Sequence, residues 1–98
     1  MKIIKELDEV FRKGSKTYTQ IGKNDNAYLY EITDSHTDHI YYEVFKRQEN
    51  RRFNCISYPT DKAFGKWAWC ISRGNDHIKA HEAAINLFHM LSVVKQVA

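Results

Sequence analysis

Four glycines in 98 residues, none of them clustered, leave the chain without a glycine-rich turn that would cradle a phosphate or frame an oxyanion hole. Gly14 and Gly22 fit a helix stop and a turn, and Gly65 and Gly74 stand alone. Only two cysteines are present, Cys55 and Cys70, with no CxxC pair. That is too few for a disulfide scaffold, so both are expected to be reduced, unbridged and buried in strands. No apolar run approaches the ~18 residues of a membrane span. The opening MKIIKELDEV alternates charge with hydrophobe where a signal peptide needs an unbroken apolar stretch. These absences predict a cytoplasmic chain with no membrane partner. The formal charge of +3 is spread along the sequence, without a basic tail. There is no internal repeat, low-complexity segment or linker, and 98 residues suit one domain with its own core.

Residues 40–71, IYYEVFKRQENRRFNCISYPTDKAFGKWAWCI, hold much of the aromatic content and both cysteines. Residues 40–47 and 53–58 alternate β-branched or aromatic residues with single polar ones, which predicts two strands. A two-residue turn at Glu49 and Asn50 would pair them as a hairpin, setting Val44 opposite Cys55, Glu43 opposite Ile56 and Tyr41 opposite Tyr58. One face would carry Ile40, Tyr42, Val44, Phe53 and Cys55. The other would carry Tyr41, Glu43, Phe45, Asn54, Ile56 and Tyr58. Pro59 breaks the run, and residues 66–72 resume it with Trp67, Trp69 and Ile71 opposite Ala68 and Cys70.

Before this stretch, residues 1–13 place Ile3, Leu7, Val10 and Phe11 on one helical stripe, with Ile4 beside it, ended by Gly14. Residues 16–21 and 27–33 read as strands joined by GKNDN, and DSHTD at 34–38 is a second polar turn. At the other end, Asn75 or Asp76 caps a predicted helix of about residues 76–94. Its stripe is Ala80, Ala84, Leu87, Phe88, Leu91 and Val94, with His77, His81 and Ile85 beside it. The predicted fold is α+β, an antiparallel meander of four or five strands with an N-terminal helix and a longer C-terminal helix packed on the sheet.

Three chemistries compete for the remaining residues. His36 and His39, or His77 and His81 one helical turn apart, have spacings found in metal sites, but no HExxH or CxxC accompanies them. Capping or solvated histidines are the simpler reading, so no metal and no cofactor is expected. Cys55 or Cys70 beside His77 or His81 would suit nucleophilic catalysis, but nothing local supports it, and a non-enzymatic chain is expected. The third reading is a nucleic-acid surface. Lys46, Arg47, Arg51 and Arg52 bracket the hairpin turn and would meet phosphates. Tyr41, Phe45, Trp67 and Trp69 on one face below them would stack on unpaired bases. Its bland alternative is a core with a solvated turn, and its rival is a protein partner held by the same aromatics.

The run YYEVFKRQENRRFNCISYPTDKAFGKWAWCI, with its FNCISYP and FGKWAW segments, resembles small proteins encoded by bacterial phages and mobile elements, particularly those of gut Bacteroidetes. The resemblance covers the middle of the chain. It implies a binding or regulatory role rather than a metabolic one, and supplies no site residues.

Overall fold

The computed structural model describes residues 4–74 and 76–92; Ile3, Asn75 and Val94, which enter the sequence-based expectations, lie outside them. Five antiparallel strands form the main sheet: β1 (Val10–Lys13), β2 (Lys16–Lys23), β3 (Ala27–Asp34), β4 (Ile40–Lys46) and, further along the chain, β7 (Ala68–Ile71). Their order is β1-β2-β3-β4-β7. Two short strands, β5 (Glu49–Asn50) and β6 (Cys55–Ile56), pair with one another between β4 and β7, and α1 (His77–Ser92) follows. The class is therefore α+β with an antiparallel sheet, as the sequence predicts.

Alternation along β4 sends Ile40, Tyr42 and Val44 to one face and Tyr41, Glu43 and Phe45 to the other, as the sequence implies. The first face belongs to α1. Asp76 caps the helix by accepting a hydrogen bond from the Lys79 N–H at 3.0 Å. Ala80 and Ala84 are fully buried, and their small side chains let α1 lie against Leu29, Tyr42 and Val44. Phe88 reaches further, to a register shift between Gln20 and Gly22 in β2. A Cβ on Gly22 would stand 3.1 Å from the Phe88 ring, so a larger residue there would push the ring back by a few tenths of an ångström. The end of α1 is tied to the β2–β3 turn, where Asn26 Nδ2 donates to the Ser92 carbonyl at 2.8 Å.

The opposite face is aromatic. Phe45 lies parallel to Tyr28 and Tyr30, with ring centroids 5.5 and 5.8 Å apart, and Tyr58 meets it edge-on at 5.4 Å. Phe11 stacks on Tyr18 at 4.8 Å. Such rings bury large apolar areas, yet each phenol still requires a partner. For Tyr28 and Tyr30 the partners come from residues 4–9, which cross this face as a strap. Tyr30 Oη donates to the Asp8 carbonyl at 2.6 Å, and Tyr28 Oη donates to the Glu6 carboxylate.

The predicted N-terminal helix is not formed. Residues 4–9 are irregular, bound to β6 through Lys5 N–H to Asn54 O at 2.8 Å and Ile56 N–H to Lys5 O at 2.9 Å, and Val10–Lys13 is an edge strand. Ile4, Leu7 and Phe11 keep their spacing but pack on the tyrosine layer as parts of a strap and a strand. A helix of that length is marginal on its own, and the ladder to β2 with its Phe11–Tyr18 stack outweighs it.

The expected hairpin also differs. β4 is buried on both faces and needs a strand on each side, which β3 and β7 provide. Glu43 thus faces Tyr30 and Cys70 rather than Ile56. Glu49 and Asn50, expected as a turn, instead pair with Ile56 and Cys55 across a turn in which Asn54 takes φ 52°. Residues 53–58 fold over the aromatic face, and Ile56 and Tyr58 join its core from above.

Candidate functional site

The strap and the segment between β5 and β7 cover only part of the aromatic face. Where they stop, a pocket of about 410 Å³ opens, lined by Lys16, His39, Tyr41, Glu43, Phe64, Cys70 and Ser72. That size lies within the range of small-molecule sites. Alternation builds the pocket: residues 39, 41 and 43 lead along β4, Cys70 sits opposite Glu43 in β7, and Lys16 opens β2.

Glu43 is the exceptional member, a carboxyl only 7% exposed in a strand interior. Tyr58 Oη donates to its Oε1, while Oε2 has no hydrogen-bond partner among the described residues. Burial pushes the Glu43 pKa up, opposed by the Tyr58 hydrogen bond and by the charges of Lys13 and Lys16. Tyr58 moves in the same direction, through burial and through the carboxylate it serves, so it stays a donor. No ion pair within 4.0 Å neutralises Glu43 among the described residues.

Two lysines lie near Glu43, and Lys16 lines the pocket itself. The Lys13 Nζ sits 4.1 Å from the Tyr58 ring centroid, and Lys16 Nζ lies 5.5 Å from that of Tyr41. The Tyr41 hydroxyl raises the Lys16 pKa, holding the ammonium charged. His39 stacks on Tyr41 at 5.7 Å, and its Nε2 lies 3.0 Å from Ser72 Oγ. Cys70 is free and exposed at the sheet edge. Desolvation of its thiol and the Glu43 charge push its pKa up, which disfavours the thiolate.

The residues expected to bind nucleic acid are dispersed. Phe45 is 0% exposed and belongs to the core. Tyr41 lines the pocket, Trp67 packs on the aromatic cluster, and Trp69 pairs with Val44 on the helix side of the sheet. Both tryptophans are half-buried. Arg47 is committed to Glu6 at 2.5 Å and Glu49 at 2.7 Å. Lys46, Arg51 and Arg52 are exposed, with Arg52 over the Phe53 ring at 5.3 Å. Lys46 ends β4 five residues beyond Tyr41, roughly 17 Å away at strand rise.

Other pairings suggested by spacing are also separated. His77 and His81 are exposed on α1, and His81 meets Tyr42 edge-on at 5.4 Å, so the sheet lies between them and Cys70. Cys55 is half-buried beside a smaller hollow of about 190 Å³ beneath the strap. Cys70, expected to be buried, is exposed because β7 is an edge strand. Among the described residues no group of three His, Cys, Asp or Glu side chains is arranged to hold a metal ion, and no helix is long and apolar enough to cross a membrane.

Sequence reasoning missed Lys16, Glu43 and Ser72 as site residues. Glu43 left a signal: it is the one charge in IYYEVF, on a strand buried on both faces. Such a group is costly to bury, and perturbed carboxyls of this kind concentrate at functional sites. Comparison with protein-family models, curated proteins and solved structures finds no match to the chain.

The cost is measurable. A carboxyl whose folded pKa is raised stabilises the fold below its ordinary range, and that contribution is lost as pH rises through the folded value. Glu43→Gln keeps an acceptor for Tyr58 and carries no charge. It is expected to raise the melting temperature at neutral pH, with the gain shrinking as pH falls through the raised folded value and gone below about 4. A melting temperature lowered at neutral pH would show that the ionised carboxylate supports the fold.

Proposed function

We propose that the protein is a small non-enzymatic binding module for single-stranded nucleic acid, with one unpaired base entering the pocket beside Tyr41. What carries this reading is the conjunction, in one pocket, of a buried carboxyl with an open acceptor, an aromatic wall and Lys16, with Lys13 nearby over Tyr58. A planar base supplies hydrogen-bond donors to Glu43 and a π-face to Tyr41, and its phosphate meets Lys13 and Lys16. The exposed Lys46, Arg51 and Arg52 give a longer strand further phosphate contacts. A regulatory role of the kind implied by the resemblance to phage and mobile-element proteins fits a module of this sort.

Fluorescently labelled single-stranded DNA and RNA, titrated at several salt concentrations, test the reading. Affinity is expected to fall as salt rises, and Lys16→Ala to weaken binding and flatten the salt slope by about one unit. Absence of binding at low salt defeats the proposal. The second reading, a protein-interaction module, is favoured by Phe53, 66% exposed at the tip of the β5–β6 turn. Its complex would be far less sensitive to salt.

A further inference from the structure

We infer that Glu43 makes the pocket selective for guanine, reading the adjacent N1–H and N2–H₂ donors of that base. The inference rests on the nucleic-acid reading above and names the base that the site prefers. Glu43 offers two acceptor positions side by side: Oε2, which is unpartnered among the described residues, and the second lone pair of Oε1, whose first is taken by Tyr58. A carboxylate is matched in full by two parallel N–H donors, the arrangement that makes bidentate pairs strong and selective. Guanine presents such a pair on its Watson–Crick edge. Adenine and cytosine present one amino group next to a ring acceptor, which an ionised carboxylate repels. Uracil presents one N–H between two carbonyls, so both flanks oppose the carboxylate.

The surroundings fix the orientation of the reader. Tyr58 is held edge-on against Phe45, Tyr30 and Phe11 at 5.4, 6.4 and 5.5 Å, so the hydroxyl that pins Oε1 cannot swing away. Glu43 is flanked in the sheet by Tyr30 and Cys70, and it lines the pocket between Tyr41 and Cys70. Burial makes the carboxylate costly to ionise in the empty pocket, and two N–H donors offset that cost when guanine enters.

The four nucleoside 5′-monophosphates GMP, AMP, CMP and UMP, titrated calorimetrically at neutral pH, provide the probe. GMP is expected to bind roughly tenfold or more tightly than UMP, as one bidentate pair discriminates between bases. Glu43→Gln is expected to lower GMP affinity by about tenfold and to leave UMP no weaker, because glutamine replaces one acceptor with a donor that a uracil carbonyl can accept. Thermal unfolding of the variant establishes that it is folded. Equal affinities for all four nucleotides, or a GMP affinity unchanged in Glu43→Gln, overturn guanine selectivity and leave nucleic-acid binding standing. Failure of every nucleotide and every labelled strand to bind at low salt overturns both.

Discussion

Replacing Phe45 with alanine is expected to lower the unfolding free energy by ~3–5 kcal/mol, the cost of truncating a buried phenylalanine. The position justifies the upper part of that range. Phe45 has no solvent exposure and lies parallel to both Tyr28 and Tyr30, while Ala68 faces it across the β4–β7 ladder. The small Ala68 side chain cannot refill the space, and Tyr58 is anchored through Glu43, so the cavity stays open. Small domains hold only ~5–15 kcal/mol in total, so the loss is a large share of the stability. Urea unfolding followed by circular dichroism measures it as a lower midpoint at constant slope. The same variant separates two roles for the aromatic layer. A stacking platform would lose ligand affinity and keep its stability, so a change below about 0.5 kcal/mol would place Phe45 on the surface instead.

The strands of residues 16–46 were legible because they follow two-residue alternation and are punctuated by polar turns whose side chains bond locally. Asn24 Oδ1 accepts from the Asn26 and Ala27 N–H groups at 2.8 and 3.0 Å, and Asp34 Oδ1 accepts from the His36 N–H at 2.9 Å. The stripe of α1 was legible for the same reason at a helical period. Residues 4–13 were not, because Ile4, Leu7 and Phe11 satisfy a helical spacing as well as the contacts of a strap; what decides is a tyrosine layer made by distant strands. Pairing failed where length misled. A five-residue connection invites a hairpin, whereas β4 takes β7 as its partner, beyond the folded-over segment, because both of its faces are buried. The pocket inherits that difficulty. Its walls come from β2, β4, Phe64 and β7, and only long-range pairing brings Lys16 and Cys70 toward Glu43. The faces of β4 could be read in advance; which of them stays open depends on how far residues 53–64 extend across it.

Arg47→Met is expected to cost about 2 kcal/mol at neutral pH, and to remove much of the acid sensitivity of the fold. Arg47 donates to Glu6 at 2.5 Å and to Glu49 at 2.7 Å, and Tyr28 donates to Glu6 from below. Lys23 completes the cluster at 3.5 Å from Glu6. This is the clasp that holds the strap over the tyrosines. Hydrogen bonds to charged groups contribute ~1.5–3 kcal/mol. A middle value suits Glu6, whose side chain is 33% exposed and partly screened by water. Methionine keeps the apolar stem of Arg47, so the change isolates the charge. The Arg47 hydrogen bond, more than any other contact, lowers the Glu6 pKa from 4.5 to about 2. Because the folded value is depressed, the contribution of Glu6 is fully present above pH 4.5 and is lost as pH falls toward 2. Wild-type stability is therefore expected to decline through that window, and the variant to decline less, so that the two curves converge at low pH. Urea midpoints at about pH 7, 4 and 2.5 measure the convergence. Parallel curves would show that Arg47 contributes packing alone. A strap released in the variant at pH 7, seen as faster amide exchange at Lys5 and Ile56, would locate the loss at the clasp.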